Sequence, residues 1–167
     1  MLISEAYANE QRKMHKNERY GAASKKVAPL IARFIEARKP ESILDYGAGK
    51  QALAEALGIE VAAYDPGVQA ISQLPDGKFD LVCCIDVLEH VEPDCLPDVL
   101  ATLSEKTGKT AFITIHTGPA GKKLSDGRNA HLIQRPIRWW TKRLKSVFKT
   151  VSAEMHNETT ILAICEN

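Results

Sequence analysis

The chain alternates short apolar runs with stretches in which apolar positions recur at helical spacing. Residues 2–18 are mostly polar and read as a surface helix. After Ser24, a possible helix cap, Val27, Leu30, Ile31, Phe34 and Ile35 fall at the spacing that lines one helix face, and Pro40 ends the run. Beyond it, β-rich runs at 42–46, 60–64, 79–85 and 110–116 are separated by helical segments at 50–57, 67–73 and 96–105. Strands that alternate with helices predict a parallel sheet with helices on both faces. A further helical stretch is expected over 131–146, followed by two β-like runs, 148–154 and 159–165. Only Met155 to Glu158 separate these two, which is too short for a crossover. They are expected to form an antiparallel hairpin at the sheet edge. The fold class is therefore α/β, a three-layer α/β/α arrangement with a mostly parallel sheet and an antiparallel C-terminal hairpin.

A length of 167 residues suits one domain with a sizeable core. Nothing divides the chain: no internal repeat, low-complexity tract or linker is evident. Hydrophobic residues at 44% and charged residues at 26% fit a soluble globular protein and not a disordered one. No apolar stretch approaches the ~20 residues of a membrane span. The N-terminus turns polar too early for a secretory signal. Cys83, Cys84, Cys95 and Cys165 show neither a C-x-x-C pair nor metal-ligand spacing, so free thiols and a cytoplasmic location are expected. The net charge of +1 hides an asymmetry, because residues 121–149 carry nine basic side chains against one acid, Asp126. Such a segment either attracts an anionic partner or forms a solvated helix face.

The stretch SILDYGAGKQALAEAL, residues 42–57, carries the chemistry. Asp45 ends an apolar strand, where a carboxylate is costly unless something pairs with it. Gly47 and Gly49 follow at once, where glycines let a backbone approach a ligand at the carboxyl end of a strand. Lys50 is followed by Gln51 where a phosphate-binding P-loop needs Ser or Thr. A dinucleotide fingerprint is met loosely by Gly47-x-Gly49-x-x-Ala52, with Asp65 at the distance of a ribose-binding acid. Asp45 argues against a pyrophosphate there and for a ligand with an ammonium group. S-adenosylmethionine carries one, together with a ribose diol.

In their order and spacing, ILDYGAGK, VAAYDP and FDLVCCIDVLEHVEP resemble three motifs of class I S-adenosylmethionine-dependent methyltransferases, over roughly residues 20–116. The resemblance implies a Rossmann-like core, with Asp45, Gly47 and Gly49 around the methionine moiety and Asp65 on the ribose hydroxyls. Asp86 and Val87 would border the cofactor, and the segment through Glu89 and His90 the methyl acceptor. Two departures stand out: Gln51 replaces the family's usual third glycine, and only residues 66–78 separate Asp65 from Phe79. The third strand is therefore expected to be reduced, with Leu74 as an adenine neighbour. Similar enzymes close an N-terminal segment over the cofactor. This makes residues 1–38 an expected lid on a core of 39–167, within a single domain 1–167, and Tyr20 an expected cofactor contact.

Methyl transfer from a sulfonium is a displacement that depends mainly on positioning. A base is needed only where the acceptor must lose a proton. His90 is the first candidate because imidazole titrates near neutrality, and His131 the next, with His116 on the same rim. Glu89 is a candidate for binding a polar group of the acceptor. No histidine pair has helical ligand spacing, so no metal is expected. The polar, glycine-containing loop 117–129 reads as an acceptor-binding lid, and Trp139 and Trp140 as a possible acceptor wall. No Asp/Asn-Pro-Pro-aromatic or Pro-Cys signature of base methylation is present. The expected function is methyl transfer to a small-molecule acceptor. Two alternatives are nucleotide or nucleic-acid methylation through the basic 121–149 segment and a non-catalytic cofactor-binding module.

Overall fold

The computed structural model describes residues 1–15 and 24–167. Two helices, α1 (Glu5–His15) and α2 (Ser24–Arg38), precede the core. The core then runs β1 (Ile43–Tyr46), α3 (Ala52–Leu57), β2 (Ala62–Tyr64), β3 (Phe79–Ile85), α4 (Leu96–Lys106), β4 (Thr107–His116), α5 (Ile137–Leu144), β5 (Thr150–Met155) and β6 (Thr160–Glu166). The sheet order is β2-β1-β3-β4-β6-β5. The first four strands pair in parallel, and β6 joins β4 and β5 antiparallel, as the short connection between the last two runs requires. Asn157 closes that turn, its side-chain oxygen accepting the amides of Thr159 and Thr160 at 2.9 Å each.

Apolar runs without polar alternation suit strands covered on both faces, and the packing divides them residue by residue. Leu81, Cys83 and Ile85 of β3 face α2 and α3 together with Phe112 and Ile43. Val82 and Cys84 face the opposite layer, where Leu100, Leu103, Trp140 and Leu144 of α4 and α5 pack. Ile31, Leu53, Leu103 and Trp140 are fully buried; a side chain the size of leucine contributes about 1.5–3 kcal/mol when so removed from water.

Two sequence expectations change and a third holds. Helix α5 begins at Ile137, not 131, because Pro136 disfavours helical backbone in the residue before it and serves as the cap. Strand β4 begins at Thr107, directly after α4, with the Thr107 hydroxyl donating to Leu103 O at 2.7 Å. The third strand is reduced as expected: residues 66–78 contribute no strand, a 3-10 turn at Gln69–Ile71 lies within the helical segment expected over 67–73, and β2 is the sheet edge. The N-terminal helices also part company. Helix α2 packs through Ala28 and Ile31 into the core layer, whereas α1 lies over the carboxyl ends of the strands.

Candidate functional site

A cavity of about 550 Å³ opens at the carboxyl ends of β1, β2, β3 and β4, where open α/β sheets bind ligands. The glycine loop forms one side. Gly47 adopts φ +80°, and a Cβ there would lie 2.3 Å from Val87 Cγ2, so both backbone angle and space demand glycine. The Gly47 and Ala48 amides donate to Tyr64 O at 2.7 and 3.0 Å, pinning the loop to the end of β2. Gln51, where the resemblance expects a third glycine, adopts the left-handed conformation at φ +56° and is exposed.

Asp65 is buried and accepts two backbone amides, Gly49 N on Oδ2 at 2.9 Å and Gly67 N on Oδ1 at 2.8 Å. It therefore shapes the glycine loop as well as facing the cavity; each carboxylate oxygen retains a second lone pair for a ligand. Asp45 is also buried, and no hydrogen-bond donor among the described residues reaches its carboxylate. Burial and the nearby Asp65 raise its pKa to about 7. A cationic ligand would supply the charge this pair of acids lacks.

The opposite side is built from three separate segments. Asp86 follows β3 at φ +52°, its amide donating to Thr114 O at 3.1 Å and its Oδ1 accepting the Thr114 hydroxyl at 2.7 Å. Glu89, on the next turn, is fully buried; Oε1 accepts the His116 amide at 2.8 Å, and Oε2 has no hydrogen-bond partner. Burial, and then the charge of Asp86, push its carboxyl well above the usual range. His90 donates from Nδ1 to Ala130 O at 2.8 Å. Burial first, and His131 second, lower its pKa to about 4. His131 donates from Nδ1 to Gly118 O at 2.7 Å, and burial lowers its pKa too. The His131 ring lies 4.7 Å from that of His90 and 4.9 Å from that of His116. Spacing along the chain led away from a metal, but the fold brings the ligand atoms of Glu89, His90 and His131 within 4.8 Å of one another. Loop 117–129 is ordered by Asn129, whose side chain accepts the amides of Ala120 and His131 and donates to Ala120 O, each at 2.9 Å.

Helix α1 covers the cavity through residues that sequence reading passed over. Ser4 donates twice to Glu92 at 2.8 Å, Tyr7 donates to His90 O at 2.7 Å, and the Ser125 amide donates to Glu10 at 3.0 Å. Tyr7, Gln11 and His15 line the cavity, with His15 Nε2 3.8 Å from Asp65. Their spacing of four residues along a polar helix was the available signal.

The other expected site residues scatter. Leu74 does not line the cavity but packs half-buried against the core, because the segment that would have formed a third strand turns away. Trp140 is buried beneath the sheet, and Trp139 faces a second groove beside Arg143, so neither walls the cavity. Tyr20 lies outside the described residues. Of the nine basic residues in 121–149, only Lys122 reaches the cavity.

The fold and site define a protein of the α/β class with a cavity bounded by a glycine loop at the sheet's carboxyl edge. The methyltransferase domain family matches residues 15–158, and the chain belongs to that family. Among solved structures it is similar to Burkholderia thailandensis 1,6-didemethyltoxoflavin-N1-methyltransferase with bound 1,6-didemethyltoxoflavin and S-adenosylhomocysteine. The TM-score is 0.72 at 17% identity over 100% of this chain and 91% of that one. It is also similar to DhpI in complex with SAH, with a TM-score of 0.65 at 18% identity and 98% of both chains covered. A curated relative, the ubiquinone biosynthesis O-methyltransferase of Azotobacter vinelandii, is 35% identical over 63 residues, 37% of this chain. The match spans 27% of that protein's length.

Proposed function

We propose that the chain binds S-adenosylmethionine at the glycine loop and transfers its methyl group to an oxygen of a small-molecule acceptor. The observation that carries this reading is one continuous cavity, with the buried acids Asp45 and Asp65 on the glycine side and Glu89, His90 and His131 on the other. Asp45 would hold the cofactor's ammonium group and Asp65 its ribose hydroxyls, while Val87 packs against Gly47. The acceptor hydroxyl meets the histidine side. When bound, the cofactor would supply a methyl group on a sulfonium sulfur, and a hydroxyl acceptor taking it would release its proton. A neutral imidazole accepts it best when its pKa lies near the working pH. Burial weakens His90 as a base, and this moves the role towards His131.

Acceptor size follows from the enclosure. A volume of about 550 Å³ falls within the small-ligand range of roughly 300–1,000 Å³, and α1 is tethered across it as a lid. The basic residues of α5 lie outside it, so a nucleic-acid acceptor is disfavoured. Among the described residues no helix is long and apolar enough to cross a membrane. All four cysteines are free, as in a reducing compartment, and we place the activity in the cytoplasm.

Calorimetry with S-adenosylhomocysteine and with NAD tests the cofactor. The sulfur ligand is expected to bind and NAD to bind far more weakly. Asp65→Ala removes charge-assisted hydrogen bonds of about 1.5–3 kcal/mol, or roughly 10- to 150-fold in affinity. Tight NAD binding without response to S-adenosylhomocysteine would refute the reading. Cofactor binding with no transfer to any of a panel of small hydroxylated acceptors would favour the non-catalytic module.

A further inference from the structure

We propose that Glu89, His90 and His131 form a site for a divalent transition-metal ion, whose open positions face the cavity and take an oxygen of the acceptor. The proposal rests on the assignment of the acceptor to this side. The three ligand atoms already lie within 4.8 Å of one another. An ion with bonds of about 2.0–2.2 Å holds its ligands roughly 3–4 Å apart, so small rotations of one carboxylate and two rings complete the set.

Each side chain is held from behind. His90 Nδ1 meets Ala130 O at 2.8 Å and His131 Nδ1 meets Gly118 O at 2.7 Å. A carbonyl only accepts, so both rings carry their proton on Nδ1 and present Nε2 as the lone-pair nitrogen. Backing of this kind fixes the tautomer and aim of metal-bound histidines. Glu89 is fixed through Oε1 by the His116 amide, while Oε2 is fully buried and has no hydrogen-bond partner. A buried oxygen in that state requires a proton or a cation.

Two imidazoles and one carboxylate suit Mn²⁺, Fe²⁺, Co²⁺ or Zn²⁺ better than Mg²⁺ or Ca²⁺, which prefer oxygen ligands throughout. Three protein ligands leave coordination positions for substrate. An acceptor hydroxyl bound there loses its proton to solvent at a lower pH, so the alkoxide or phenolate oxygen is ready when the methyl carbon arrives. The ion then performs the task that His131 would perform as a base.

The full chain, stripped with a chelator, is titrated with Co²⁺ by visible absorption and with Zn²⁺ by calorimetry. One ion per chain is expected, with a Kd of about 10 μM or tighter. Glu89→Gln and His131→Gln should each weaken binding at least about tenfold. His156→Ala, an exposed histidine at the far hairpin, should leave it unchanged. S-adenosylhomocysteine affinity, measured on the metal-free protein, should be the same in all of these variants. A failure of the metal site is thereby distinguished from a failure of the cofactor assignment. No saturable binding below about 1 mM overturns the site, as does binding that both ligand variants retain or that His156→Ala removes. Circular dichroism checks folding; if one variant unfolds, the other and the wild-type stoichiometry decide.

Discussion

The two sides of the cavity are built in different ways. On the glycine side, Asp45, Gly47 and Gly49 are nearly consecutive, and Asp65 reaches them from the neighbouring strand β2. Most of its interactions run through the backbone: amides held on Asp65 and Tyr64 O, and a positive φ at Gly47. On the histidine side, Glu89 and His90 follow β3, His116 ends β4, and His131 closes the loop beyond it. They are fixed by side chain to backbone bonds across long sequence separations. The glycine side is therefore a rigid cradle that tolerates little steric change. The histidine side is a set of titratable side chains from separate segments, whose chemistry depends on their protonation.

Gly47→Val should break the cradle most severely. It forces a branched residue into φ +80° and against Val87, with expected loss of detectable S-adenosylhomocysteine binding by calorimetry and about 2–5 kcal/mol of stability by denaturant unfolding. Wild-type affinity in this variant would show that the loop can move and that the contrast is misplaced. His131→Ala should act on the opposite side alone. Methyl transfer, followed with any acceptor that supports turnover, should slow about 10²- to 10⁴-fold, with cofactor affinity nearly intact; equal losses in both would make the histidine side structural. His90→Ala in parallel asks whether the ring whose pKa is lowered to about 4 matters less as a base.

Asp45 offers a pH test of intermediate size. Its folded pKa of about 7 lies above the ordinary carboxylate value, so the unfolded chain ionises first as pH rises. Wild-type stability should therefore fall between about pH 4 and 7 through this group, and Asp45→Asn should remove that part of the slope. A cationic ligand favours the ionised form, so S-adenosylhomocysteine should bind more tightly at pH 8 than at pH 6 in the wild type but not in Asp45→Asn. Pressure on the lid is the mildest change. Tyr7→Phe removes one hydrogen bond to His90 O, with an expected loss of about 0.5–1.5 kcal/mol in stability or cofactor affinity.

Much of the glycine side was legible in the sequence because its determinants are local. An apolar run ending in Asp45, glycines at once after it, and an acid at the end of the next strand identify it without knowledge of the packing. Gln51 looked like a departure; it adopts a left-handed backbone at φ +56°, and its side chain is exposed. On the histidine side, sequence reading named the residues and put them on one rim, but did not show how closely they approach one another. Spacing along one helix is the sequence signature of metal ligands, and here the groups come from different elements. Leu74, Trp139 and Trp140 were misplaced for the same reason: nothing local tells a ligand-facing apolar residue from one that packs into the core.

The sequence alone determined the order of elements and the split of the apolar runs between two faces. Both arise from periods of two and 3.6 residues that each segment carries within itself. It also determined the parallel core and the hairpin, because connection length decides which is possible. Tertiary structure alone decided that α1 lies across the cavity while α2 enters the core, and that Glu89 is buried with one oxygen unpaired. It alone decided that the His131 ring comes within 4.7 Å of that of His90 and 4.9 Å of that of His116. These are contacts between segments far apart in the chain. Only the adjacency of β3 to β4 and the return of loop 117–129 over their ends bring them within bonding distance.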